Sequence, residues 1–318
     1  MDVLVFIVYA LAALPAIRVI VRRSQGQAGG SLGGLWLSAA LLPLLALAHG
    51  MLTIYADVLW FREMGAERRY WTELLAHWAS FFLGTLVAFA VIWFNSILAR
   101  RTGSRRPRLT AVGGKRETDE LGFFDLGDGR WALTEDQSSV FRAIDRLRVP
   151  VLLLASLFLG AAFASHWWAF LLWLHRQPFH RIDPQFGRDI GFYVFTIPVW
   201  SALVSWLTGV FILALLISTV LYVLPAALAG VALGSWAAPL KRGARHLGSL
   251  AGILFLLGAS RVWIWRYELV YSRNGPLVGA SAADVRIGAA LLAIYAVTLV
   301  ALAIAVVLLA PRLRGRLA

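Results

Sequence analysis

The densest group of chemically capable side chains lies in "IDPQFGRDIGFYVFTIP", residues 182–198, where Asp183, Arg188 and Asp189 alternate with Phe186, Phe192, Tyr193 and Phe195. Two carboxylates flanking one cleft can do acid–base work on glycosyl or phosphoryl substrates. The other acids able to join them are Glu268 and Asp284, and each of the four has an arginine close in sequence: Arg181, Arg188, Arg266 or Arg286. Structural ion pairing at a membrane edge is the expected state of these acids, and spacing alone assembles no catalytic group. Just upstream, "HRQPFHRIDP" sets His175, His180 and Asp183 within nine residues. Two imidazoles and a carboxylate suit zinc, but His-x4-His-x2-Asp on a proline-containing loop is not a recognised ligand spacing. "VGGKRE" lacks the G-x-x-x-x-G-K-S/T spacing of a phosphate loop. The sequence has no cysteine, which excludes thiol chemistry, disulfides and cysteine zinc sites. No metal or cofactor is expected.

His49 stands apart, inside the apolar run "LLALAHGMLTIYADVLW". Ionisable groups at membrane depth carry a functional hypothesis by default, here a proton or ion relay. A neutral histidine hydrogen-bonded to a neighbouring helix is the simpler account. Arg18 and Arg261 lie near helix ends, where their side chains can reach the interface. Aromatic residues crowd two expected outer loops, residues 57–78 (Trp60, Phe61, Tyr70, Trp71, Trp78) and 261–271 (Trp263, Trp265, Tyr267, Tyr271), with Arg266 and Glu268 among the latter. Rings with one polar edge settle at headgroup depth, so this crowding needs no ligand.

The elements that hold these residues are membrane helices. Of 318 residues 60% are hydrophobic and 15% charged, with mean hydropathy +0.73, and the apolar residues fall in long uncharged runs. That is the pattern of an all-α, multi-pass transmembrane bundle. About seven spans are expected, near 2–21, 32–56, 77–99, 149–174, 198–223, 247–265 and 288–310, in a single membrane domain, 1–318, with short interfacial helices. The first lacks a basic leader and a small-residue cleavage site, so it reads as a retained helix. Residues 224–240, bracketed by Pro225 and Pro239, read as an inner-surface or helix-end segment, with a short extra span as the alternative. Gly230 and Gly234 there have G-x-x-x-G spacing.

The net charge of +13 reads as cytoplasmic anchoring by Lys and Arg, and no nucleic-acid partner is expected. "RRTGSRRPR", five arginines in nine residues, follows the third span. Its placement inside sets the N-terminus outside and the C-terminus in the cytoplasm. The inner loop, 100–148, carries a Gly-Asp-Gly turn suited to a small hairpin. Thr134 and Gln137 then form a capping-box pattern ahead of Val140, Phe141, Ile144 and Leu147, which share one face of an amphipathic surface helix. The loop is too short for an enzymatic domain of its own.

Four stretches together resemble a known family. "IDPQFGRDIGFYVFTIP", "YADVLWFREMG" (55–65), "RHLGSLAGILFLLGASRVWIWRYELVYSRNGPLVGAS" (245–281) and "ADVRIGAALLAIYAV" (283–297) are similar, in order, to segments of uncharacterised protein family 0182, a group of bacterial multi-pass membrane proteins. The resemblance covers roughly residues 45–300, and its signature residues are Asp183, Pro184, Phe186, Gly187, Asp189, Phe192 and Tyr193. It implies about seven helices in the plasma membrane followed by a large domain outside the cell, and it brings no activity, substrate or catalytic residue. The helix at 2–21 is additional to that pattern, and the family's final span and outer domain do not follow "PRLRGRLA", so a fragment or a variant reduced to the membrane part is expected.

The leading functional expectation is a non-enzymatic membrane anchor, scaffold or export accessory in the plasma membrane. Its partners would be the bilayer and other membrane or extracytoplasmic proteins. The alternatives are a transporter or channel using His49, and a membrane-embedded transferase on lipid-linked substrates using Asp189 or Glu268. In all three, residues 182–198 are expected to turn the chain back into the membrane: Pro184 extends the backbone at Asp183, Gly187 allows a sharp turn, Asp189 caps a short aromatic segment, and Pro198 starts the next span.

Overall fold

The computed structural model describes residues 2–24, 33–103, 135–228, 237–272 and 279–312. Its helices are α1 (Asp2–Ser24), α2 (Gly33–Glu63), α3 (Glu67–Gly103), α4 (Glu135–Ala164), α5 (Trp167–Leu174), α6 (Ile197–Leu228), α7 (Ala237–Glu268) and α8 (Ala289–Leu309). Wide π-helical turns, Phe192–Thr196 and Asp284–Gly288, lead into α6 and α8, and a 3-10 turn, Leu269–Tyr271, closes α7. Among the described residues there is no strand, only one isolated antiparallel bridge between Ile182 and Asp189.

Six of these segments are long and apolar enough to cross a membrane: Leu35–Glu63, Glu67–Thr102, Arg146–Ala164, Phe192–Leu224, Leu240–Tyr271 and Asp284–Leu309. A shorter apolar stretch, Val8–Val19, lies in α1. A bilayer core of about 30 Å takes about 20 helical residues, and several of these helices are far longer than that. The chain folds as two compact units, Met1–Leu74 and Leu75–Ala318.

In the first unit α1 packs on α2. Pro15 has no N–H to give the α1 ladder, and at the very next step the buried Ser38 of α2 enters that ladder. Its hydroxyl donates to the Ala12 carbonyl at 2.8 Å and accepts the Ala16 N–H at 3.1 Å. A small polar residue thus joins two apolar helices where side-chain hydrogen bonds have no competing water.

The segment 57–78, expected as an outer loop, is instead a helical hairpin. Gly65 stands at φ +65°, Ala66 N–H bonds the Phe61 carbonyl at 2.8 Å, and Gly65 N–H bonds Arg62 at 3.1 Å, which is a Schellman stop. The aromatics sit on the two helix ends, with Phe61 5.1 Å from Tyr70 between ring centres.

In the second unit α7 packs along both α6 and α8, and α4 packs on α6. A buried cluster of Ala88, Phe163, Trp206 and Val210 joins α3, α4 and α6, and the Trp206 indole donates to the Leu159 carbonyl at 2.8 Å. Close approach explains Gly252: a methyl there would fall 2.6 Å from Val307 of α8. The expected span 149–174 is broken after Ala164, where Ser165 Oγ bonds the Ala162 carbonyl at 2.8 Å and the backbone turns before α5. Hydroxyl bonding to the preceding turn competes with the helical ladder there. The amphipathic helix expected near 134–148 is the start of α4, whose backbone continues through Pro150. The expected hairpin in 104–134, and Gly230 and Gly234, lie outside the described residues.

Candidate functional site

The loop between α5 and α6 is a closed knot built around two carboxylates. Asp183 donates its N–H to the Arg188 carbonyl at 2.8 Å and accepts Gly187 N–H on its own carbonyl at 2.9 Å. Gly187 makes this turn at φ +63°, a left-handed conformation favoured by glycine. The Asp183 side chain, 9% exposed, accepts the Phe186 N–H at 2.7 Å and the Tyr193 hydroxyl at 2.9 Å on Oδ2. Asp189 accepts Phe179 N–H at 3.1 Å and Gly191 N–H at 2.7 Å on Oδ1, and its carbonyl takes Phe192 N–H at 2.9 Å. These amide donors, Phe179 first, hold the Asp189 carboxyl below its ordinary range. His180 makes its turn at φ +55° beside Phe179.

The knot is pinned to the end of α7 by aromatic contact. Phe186 and Phe192 lie 4.9 and 5.3 Å from the Tyr267 ring, and Tyr193 lies 6.4 Å from Tyr271. Tyr193, Ile197, Val204 and Ile264 are buried beneath them. The Arg266 guanidinium stacks over Trp263 at 4.5 Å and Phe186 at 5.5 Å, and Arg188 over Phe192 at 5.5 Å. Arg266 Nε is buried with no hydrogen-bond partner among the described residues. Pro184, exposed, precedes this turn, and Pro198 occupies the first turn of α6.

The expected acid partners differ from those observed. Glu268 pairs with Arg261, one helical face along α7, through contacts of 3.0 Å, and not with the adjacent Arg266. Seven residues are two helical turns, so residues 261 and 268 share a face whereas residue 266 does not. Arg261 is therefore half of an ion pair and not merely an interfacial side chain. Asp284 is held by Ser281 in reciprocal bonds of 2.9 and 3.2 Å. The His175 ring bonds the Leu171 carbonyl at 2.9 Å, and no group of three metal-ligating side chains occurs among the described residues. His49 belongs to the first unit, where it is exposed on α2 and its carbonyl accepts the Thr53 hydroxyl at 2.9 Å. The structure thus gathers Asp183, Phe186, Asp189, Phe192, Tyr193 and Arg266 in one cluster, with the Glu268–Arg261 pair at its edge beside Tyr271, and leaves Asp284 and His49 in separate surroundings.

A second polar group, at the opposite end of α6 and α7, escaped the sequence reading. Asn95 Nδ2 donates to the Val91 carbonyl at 2.7 Å, so Oδ1 faces His246 Nε2 at 2.9 Å. Nε2 must then carry the proton, and Nδ1 of a neutral ring accepts the Tyr222 hydroxyl at 3.2 Å. Tyr222 also bonds the Thr102 hydroxyl, which completes a chain across α3, α6 and α7. Asn95 in "VIWFNSILAR" and His246 in "ARHLGSL" were the available signals, since polar side chains on apolar helices seek one another.

The model of "Uncharacterised protein family (UPF0182)" matches residues 34–317, which leaves the whole of α1 outside the match. A UPF0182 protein of Synechococcus sp. (strain JA-3-3Ab) is 33% identical over 255 residues, 79% of this chain and 24% of that protein. One from Kocuria rhizophila is 30% identical over 77% of this chain and 23% of its own length, and one from Methanospirillum hungatei is 28% identical over 80% and 26%. The chain thus spans about a quarter of the length of these relatives. No solved structure matches it. With the signature loop folded as one unit inside the matched range, the chain belongs to uncharacterised protein family UPF0182.

Proposed function

We propose that this chain is a plasma-membrane anchor and scaffold whose loop 179–193 and α7 end form a rigid outer-face platform for an extracytoplasmic protein partner. The observation that supports it is the commitment of the site's acids to the fold. Asp183 is taken by Phe186 N–H and Tyr193, Asp189 by Phe179 and Gly191, and Glu268 by Arg261. A carboxylate satisfied in this way holds shape and offers little to acid–base chemistry. The platform also presents Ile182 at 72% exposure beside stacked arginines, the mix of apolar and cationic groups that suits a protein interface. In this reading the platform faces outside, with the N-terminus outside and the C-terminus in the cytoplasm. Arg100, Arg101, Lys241, Arg242, Arg245 and Arg312 lie at or near helix ends away from the platform, and Arg146 and Arg148 lie where the apolar part of α4 begins, the side that positive charge marks as cytoplasmic.

The test is affinity purification of the full chain from native membranes, with Ile182→Asp as the surface variant. The reading expects one extracytoplasmic protein in near-stoichiometric amount with the natural chain and its loss with Ile182→Asp, while Asp189→Asn and Glu268→Gln leave cellular function intact. A chain that purifies alone, combined with solute uptake abolished by His49→Ala, would overturn it in favour of transport. Loss of function in well-folded Asp189→Asn or Glu268→Gln would favour a transferase.

A further inference from the structure

Beside the Asn95–His246 chain, α3, α6 and α7 enclose a cleft of about 820 Å³. Its walls are apolar over most of their length, through Ala90, Phe94, Phe211 and Ile253, and at one end stand Arg242 and Arg245, both exposed. Thr102, Asn95, His246 and Ser249 line the region between. Along α3 the cleft runs from Thr102 to Ala90, twelve residues, or about 18 Å at 1.5 Å per residue. That is close to one leaflet of a hydrocarbon core about 30 Å thick.

The dimensions and the ordering of chemistry along the cleft match one class of molecule. Water-soluble anions would use the two arginines and leave the apolar length empty. A zwitterionic lipid would fill the apolar length but gain little from two adjacent guanidiniums. Residues 242 and 245 are three apart on α7 and so project to the same side, where a phosphate oxygen pair can meet both. The polar residues next along the cleft, Thr102, Asn95, His246 and Ser249, offer hydrogen-bonding groups suited to glycerol and ester oxygens. Basic pockets between helices are the recurrent form of acidic-headgroup recognition. We propose that this cleft binds an anionic phospholipid, with its phosphodiester on Arg242 and Arg245 and one acyl chain along Phe94, Phe211 and Ile253. The Thr102–Tyr222–His246–Asn95 chain would act as the brace that keeps the cleft open, because it ties all three helices at the headgroup end. This site is separate from the outer-face platform and does not depend on it.

The test is native mass spectrometry and thermal unfolding of the full chain in detergent, titrated with phosphatidylglycerol, phosphatidylcholine or inorganic phosphate. One phosphatidylglycerol is expected to stay bound and raise Tm, with at least tenfold weaker binding in Arg242→Gln/Arg245→Gln. Binding by each variant is read against its own lipid-free Tm, so that a change in intrinsic stability is not counted as lost binding. Ala90→Phe, which narrows the acyl end, is expected to weaken phosphatidylglycerol binding with the arginines untouched. Equal binding of phosphatidylcholine, or phosphatidylglycerol binding unchanged in both variants, would overturn the proposal. Stabilisation by inorganic phosphate equal to that by phosphatidylglycerol would also sink it, leaving an anion site only.

Discussion

Asp183 and Asp189 sit six residues apart and have different tasks. Asp183 is buried and divides its Oδ2 between a backbone amide and the Tyr193 hydroxyl, so its removal strands two donors in an apolar setting. Tyr193→Phe should lower stability by about 1–2 kcal/mol and Asp183→Ala by about 2–3 kcal/mol, read as shifts in thermal unfolding in one detergent. Asp189 is more exposed and acts through charge on amide donors. Its carboxyl is held below the ordinary value of 3.8 in the folded chain, so its contribution is present above that value and disappears as pH falls through the lower folded value. Limited proteolysis of the loop should therefore stay constant from neutral pH down to about 4 and accelerate below it. Asp189→Asn should flatten that acid step, and an unchanged step would assign it to another group.

At the scale of elements, the decisive features are the places where a helix stops or nearly touches its neighbour. Gly65 turns α2 into α3 in a left-handed conformation, with nothing within 4 Å of where a Cβ would stand. The cost of Gly65→Ala is then conformational and not steric, about 1–2 kcal/mol, and Gly65→Asn should cost less because asparagine tolerates this region. Thermal unfolding of the two variants checks that order, and equal Tm values would show the turn to be relaxed. The long spans follow from the same logic. Residues 57–78 looked like a loop because charge and aromatics interrupt the apolar run, yet charge on a helix end is compatible with helix once the end stands in the interface. The turn at Ser165 and His166 was hidden for the opposite reason, since apolar composition continues across it without a glycine or proline.

For the whole molecule, helix order and charge together set a testable orientation. The platform loop and the Arg242–Arg245 cleft lie at opposite ends of α6 and α7, so they should label from opposite sides of a membrane. The chain has no cysteine of its own, which makes single-cysteine reporters clean. In intact cells an impermeant thiol reagent should modify Ile182→Cys, and should modify Arg245→Cys only after permeabilisation. The reverse pattern would invert the topology, and labelling of both in intact cells would deny that the intervening helix crosses the bilayer.

The sequence by itself determined the all-helical membrane class and the turning role of residues 182–198, because apolar run length and a Pro–Gly framework are local properties of the chain. The family was legible for the same reason, since the Asp-Pro-x-Phe-Gly-x-Asp-Ile signature is contiguous. Partner choice was not legible. That Asp183 meets Tyr193, that Glu268 chooses Arg261 over Arg266, and that Asn95, Tyr222 and His246 converge from three helices depends on helix rotation and packing. Residues 95 and 246 are 151 positions apart, and only tertiary contact between their helices, where no water competes for the bond, makes them partners.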